Sequence, residues 1–95
     1  MYSMFIKQRV QDYASWKPVF DQHESTRREY GFTGHSVHRD ADDPNVVIVA
    51  LRATDLKLMR DFGNSDTLRE AMERAGVQGK PEIWLGEDLE DRRYS

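Results

Sequence analysis

The run VVIVAL, Val46 to Leu51, constrains this chain more than any other stretch. It is short, unbroken and rich in β-branched residues, and the turn-forming segment DADDPN (Asp40–Asn45) precedes it, so it reads as a strand. Side chains alternate along a strand, so this one is apolar on both faces and needs cover on both. A single layer of helices can cover only one.

Three further strands surround it. Ser3 to Val10 alternates, with Met4, Ile6, Gln8 and Val10 on the more apolar face and Phe5, Lys7 and Arg9 on the other. Thr33 to Arg39 forms a second strand. Lys80 to Glu87 forms the last, with Ile83 and Leu85 on one face and Glu82 and Trp84 on the other. Between the first two lies the strongest helical period, Asp12 to Gly31. Asp12 is a natural cap, while Pro18 predicts a loose first turn, recapped at Ser15, and a regular helix from Trp16. Trp16, Val19, Phe20, His23, Arg27 and Tyr30 recur on one side of it, and Gly31 is its stop. After VVIVAL, Asp55 caps a helix to Phe62. Gly63 and Asn64 break it, and Ser65 or Asp66 starts another through Ala75, with Leu68, Met72 and Ala75 inward and Gly76 as stop.

The order strand, helix, strand, strand, helix, strand is the α+β, ferredoxin-like split βαβ arrangement: an antiparallel four-stranded sheet with its helices on one face. With 95 residues there is room for one domain, residues 1–95, of which 88–95 (DLEDRRYS) form a charged tail. A domain this small has a thin core. The chain has no cysteine, which excludes disulfides and thiolate metal sites and leaves association as the way to bury more surface. The expected partner is a second copy, packing sheet on sheet as a homodimer. Net charge is −3 with both signs interspersed, so no basic face marks a nucleic-acid footprint. No run is apolar and long enough to span a membrane, and Lys7 and Arg9 interrupt the first apolar segment, so the chain reads as soluble and cytoplasmic.

Together, DYASWKPVFDQH with Arg27 and Gly31, RDADDPN before an apolar strand, and LREAMERAGVQGKPEIWL resemble the dimeric α+β barrel superfamily, and within it the antibiotic-biosynthesis-monooxygenase-like domains. The resemblance spans Phe5 to Leu85 and implies a homodimer whose two sheets close into a barrel. It implies several activities rather than one: cofactor-independent monooxygenases, polyketide cyclases and haem-degrading enzymes share this shape. Haem-degrading members carry a histidine on the second helical region. Asp55 to Ala75 has none, so no cofactor is assigned.

His23-Glu24 opens like a zinc-protease motif, but Arg27 stands where the second histidine belongs, and no metal site is expected. What remains is an imidazole and a guanidinium one helical turn apart. They are either a partly exposed pair bridging strand carboxylates or carbonyls, or a catalytic pair in which His23 accepts a proton and Arg27 holds an oxyanion. Gln8 is either an amide paired to backbone or a pocket-lining group. His35 and His38 lie on opposite faces of their strand, so they cannot share a metal without a bulge; each is either a surface or interface histidine or, with His38 the candidate, a pocket-lining one. Trp16, Phe20, Phe62, Met72 and Trp84, with Tyr30 and Met59, are either core or the lining of a pocket for a small aromatic or apolar ligand. Arg39 beside the acidic turn suggests an ion pair. The expected function is a monooxygenase or cyclase acting on an aromatic or polyketide-like substrate by general-base chemistry; the alternative is a non-catalytic dimer that binds a small ligand or serves in stress.

Overall fold

Strand β1 (Tyr2–Val10) is the axis of the sheet. In the computed structural model, which describes residues 1–95, it pairs antiparallel with β3 (Val46–Ala53) on one side and with β4 (Val77–Glu87) on the other. Strand β2 (Phe32–Arg39) pairs with β3, and the strand order is β2-β3-β1-β4. This is the ferredoxin-like α+β arrangement expected from the order of elements.

The alternation in β1 sorts its side chains as read. Met4, Ile6, Gln8 and Val10 are buried, and the β1–β3 register sets Met4, Ile6 and Gln8 opposite Leu51, Val49 and Val47, all buried too. Four helical segments complete the core: α1 (Tyr13–Gln22), α2 (Glu24–Glu29), α3 (Leu56–Gly63) and α4 (Asp66–Arg74). Trp16, Met59, Phe62, Leu68 and Ala75 join the strand residues in one apolar cluster. Phe62 is its hub, meeting Phe32 at 5.0 Å and Tyr30 at 5.3 Å edge-on. Local chemistry sets the helix ends. The Asp55 carboxylate accepts from the Leu58 N–H at 3.0 Å, the Ser65 hydroxyl from Leu68 at 3.2 Å, and Gly31 and Gly76 take the left-handed conformation at the stops.

Three boundaries differ from expectation. Asp12 caps the first helix directly, accepting from the Ser15 N–H at 2.8 Å, so α1 begins at Tyr13 and carries Pro18 in its interior. The helix is not continuous to Tyr30. It tightens at His23, whose N–H is shared between the carbonyls of Val19 and Phe20, and α2 starts anew at Glu24. Strand β4 begins at Val77, ahead of Lys80, because a register shift opposite Lys7–Arg9 lets Gln78 and Val77 pair with Arg9 and Val10. The acidic turn is closed by its own side chains, with Asp40 accepting from the N–H groups of Asp42 and Asp43. Its ion pair is made by Arg9 with Asp43 at 2.7 Å; Arg39 lies over the Tyr13 ring instead. The tail is irregular and tied back by Ser3 to Asp88 and by Arg52 to Asp91.

The second face of the sheet has no helix on it. Ile48 and Ala50 are only half-buried there, and Phe5 stacks on Trp84 at 5.9 Å with Trp84 46% exposed. The double-sided apolar character of VVIVAL is therefore satisfied on one side only within a single chain. No helix is long and apolar enough to cross a membrane.

Candidate functional site

A cavity of about 40 Å³ lies between the sheet and the α1–α2 layer. Ile6, Gln8, Val49 and Leu51 form its floor, and Trp16, Val19, Phe20, His23 and Arg27 its roof. Phe62, Leu68, Ala71, Met72 and Ala75 close the sides. Only three polar side chains reach this apolar space: Gln8, His23 and Arg27. They are 5, 7 and 3% exposed, so each is a core residue and none is a surface group at a rim.

Arg27 is held by the break in the helix. Its Nη1 donates to the Phe20 carbonyl at 2.8 Å, and its guanidinium carbon sits 3.8 Å from the centre of the Phe20 ring. Its Nη2 is buried without a partner. No carboxylate pairs with it. The two nearest acids on these helices, Asp21 and Glu24, are taken by Lys17 at 2.6 Å and by Arg28 at 3.1 Å. Burial pulls the guanidinium's pKa down, and the more distant charges of Glu24 and Asp21 oppose this only in part. A buried charge without a counter-charge is a costly state that the rest of the fold has to support.

Gln8 presents the complementary problem: its amide oxygen is buried with no donor. The amide is not tied to backbone, so its position on the cavity floor carries the pocket-lining reading of this residue.

His23 sits at the junction of α1 and α2. Its Nε2 lies 3.1 Å from the Thr67 hydroxyl and its ring 5.9 Å from that of Phe62. Burial holds the imidazole below its ordinary value of 6.5, with the charges of Arg27 and Arg74 adding to the effect. It is therefore neutral at pH 7, the form a proton acceptor needs. Of the partly exposed bridging pair expected as one reading of His23 and Arg27, only a carbonyl contact forms, from Arg27 to Phe20 of α1 and not to a strand; both residues are buried and neither meets a carboxylate.

Seven of the nine singled-out residues thus share one cavity: Gln8, Trp16, Phe20, His23, Arg27, Phe62 and Met72. The other two do not. His38 pairs with Ile48 on the open face and bonds Ser36 at 3.0 Å, and Trp84 pairs with Phe5 there. It is His35 that faces the helices, edge-on to Phe20 at 5.0 Å, because it shares parity with Val37 opposite the buried Leu51 and Val49. Tyr30 and Met59 belong to the core around Phe62. Thr67 went unread: a hydroxyl two residues past a serine cap has no signature of its own.

The cavity has room for a few water-sized groups and falls well short of the roughly 150 Å³ that accommodates benzene. Leu68 and Met72 also line a groove of about 360 Å³ between α4 and β4. Met72, an unbranched side chain with three rotatable bonds, thus stands with Leu68 between groove and cavity. No group of three histidine, cysteine, aspartate or glutamate side chains is placed to hold a metal ion.

The sequence matches no family model and no curated protein. The fold has clear counterparts among solved structures. One is a protein from Bordetella bronchiseptica assigned as an antibiotic biosynthesis monooxygenase, at TM-score 0.75 and 17% identity, covering 93% of this chain and 96% of that one. SnoaB, a cofactor-independent oxygenase from Streptomyces nogalater, superposes at TM-score 0.74 and 16% identity, covering 95% and 94%. A Deinococcus radiodurans protein, likewise assigned as an antibiotic biosynthesis monooxygenase, gives 0.70 at 15% identity over 100% and 99% of the two chains. The chain therefore has the antibiotic-biosynthesis-monooxygenase-like fold over essentially its whole length.

Two outcomes follow from the site. Replacing Arg27 by Met removes an unpaired buried charge at similar volume, so stability in urea should hold or rise by up to about 4 kcal/mol; a clear loss would mean the guanidinium supports the fold. The second concerns pH. His23 is neutral when folded, so the unfolded chain takes up its proton first as pH falls below the ordinary 6.5. Stability should be full above that value and decline as the solution is acidified. His35, whose pKa is also lowered, chiefly by burial and then by Arg27, contributes in the same direction. His23→Gln should flatten the slope of unfolding free energy against pH by up to about 1.4 kcal/mol per unit, and an unchanged slope would contradict the assignment.

Proposed function

We propose that this chain is a small-molecule enzyme of the monooxygenase or cyclase type, acting on an aromatic or polyketide-like substrate held under the α1–α2 roof. The observation that carries the reading is the meeting of His23, Arg27 and Gln8, and no other polar side chain, in one apolar cavity. His23 serves as the general base toward a phenolic or activated C–H proton, and Arg27 supplies the positive charge against which the resulting anion is held. Trp16, Phe20, Phe62 and Met72 supply apolar contact for a ring once Met72 moves aside. The fold shared with SnoaB, a cofactor-independent oxygenase, supports oxygen chemistry in which the substrate anion is itself the reductant. In that reaction an electron passes from the anion to O2 and the radicals join at carbon as a hydroperoxide. Loss of water then leaves a quinone, with one oxygen atom in the product and the other in water.

A non-catalytic ligand-binding role is the second reading. The small volume of the cavity and the engagement of His23 Nε2 by Thr67 favour it.

The protein is further proposed to be a homodimer in which the open sheet faces meet, with Phe5, Ile48, Ala50 and Trp84 in the contact. The half-covered third strand and the exposed Trp84 support this.

Oxygen uptake with a panel of polycyclic phenols separates the first two readings. Turnover should fall by about a hundredfold or more in His23→Ala; binding without turnover in the unaltered protein would establish the second. Light scattering at micromolar concentration should give a dimer for the unaltered chain and a monomer for Trp84→Glu. A monomeric unaltered chain would end the dimer proposal.

A further inference from the structure

Two side chains that line the same cavity each carry a buried polar atom without a partner, and the two atoms are of opposite character. Arg27 Nη2 is a charged donor and Gln8 Oε1 is an acceptor. Both side chains are more than nine-tenths buried. Arg27 is the more informative. Its Nη1 and its π-face are engaged by Phe20, its neighbouring acids pair with Lys17 and Arg28, and the imidazole beside it is neutral. No carboxylate meets it, and the more distant charges of Glu24 and Asp21 offset its burial only in part. A neutral guest, whether a ketone or an un-ionised phenol, would give Nη2 a hydrogen bond and leave that charge unbalanced. Only a guest that is already an anion removes the deficit. Gln8 asks for something different from the same guest: a hydroxyl that donates to its amide oxygen.

We infer that the ligand of this cavity is a ring compound that arrives ionised, an aromatic hydroxy acid, with its carboxylate on Arg27 Nη2 and its hydroxyl on Gln8 Oε1. This rests on the cavity being the ligand site, as proposed above, and narrows its substrate class from aromatic compounds at large to those carrying a carboxylate in the ground state. A guanidinium N–H is a charge-assisted donor, and a carboxylate oxygen is its strongest match. The ring then lies against the Phe20 and Trp16 side of the roof, which are stacked at 4.8 Å, and its bulk takes the space that Met72 gives up. The groove behind Met72 provides the path in.

Isothermal titration of the full chain with hydroxybenzoates and hydroxynaphthoates, each beside its neutral carboxamide, tests this. The carboxamide keeps the ring, the hydroxyl and a carbonyl acceptor and removes only the charge. The acids should bind about tenfold or more tighter than their amides. In Arg27→Met the two should bind alike, and in Gln8→Leu the hydroxy acids should fall to the level of the acids that lack the hydroxyl. Gln8→Leu keeps the test open should Arg27→Met fail to fold. Equal binding of acid and amide to the unaltered protein would overturn the inference while leaving the cavity as a ligand site. A preference for acid that survives in Arg27→Met would also overturn it, by placing the anion on the surface. Absence of binding by every acid and amide at millimolar concentration would remove both the inference and the ligand-site reading.

Discussion

A positive charge buried without a paired carboxylate is the constraint around which the helical side of this molecule is arranged. Arg27 lies in the interior of a domain whose core is thin, fixed by one carbonyl and one aromatic face. Its anchor exists because the first helix does not run straight. The tight turn at His23 brings the Phe20 carbonyl to the Arg27 guanidinium while the Phe20 ring lies beneath it. The same turn places His23 beside Thr67 at the start of α4. The neutral imidazole, the held guanidinium and the aromatic roof are thus three consequences of one local distortion. Natural proteins tend to carry such departures from regular geometry where they bind or react, and elsewhere the same energy would be better spent on an apolar side chain.

The sheet divides the work between its two faces. On one, Met4, Ile6, Val47, Val49 and Leu51 build the core and the cavity floor. On the other, Phe5, Ile48, Ala50 and Trp84 make an apolar centre with no helix over it, approached only by the tail tied at Ser3 and Arg52. Association through that face would bury the second side of VVIVAL and stiffen the floor of the cavity without touching its polar groups. The site and the proposed interface are therefore separable, and a change to Trp84 can alter assembly while His23, Arg27 and Gln8 stay where they are.

Most of the architecture was legible because it follows from periodicity and end signals. Alternation in Met4–Val10 named the buried face, including Gln8. Asp55, Ser65, Gly31 and Gly76 marked their helix ends through donors and backbone angles that few other residues satisfy. The helical spacing of Trp16, Phe20, His23 and Arg27 put them on one side, and they share one cavity. The break at His23 was not legible, since no glycine or proline marks it. The start of α1 differs from the expected one because Asp12 holds a first turn that Pro18 does not loosen. His38 and Trp84 were assigned to the pocket on residue type, whereas strand parity places both on the open face with Ile48 and Phe5. Thr67 and the isolation of Arg27 depend on contacts between elements far apart in sequence, which no local pattern encodes.

The polar groups under the α1–α2 roof are proposed to form a ligand site. This is tested most directly by mapping where an aromatic acid lands, through chemical-shift changes at the Met72 methyl, the His23 ring and the side-chain nitrogens of Gln8 and Arg27 during a titration. Shifts concentrated at these four residues and absent at His38 and Trp84 are predicted. Shifts confined to the open face, with the four unmoved, would contradict the account.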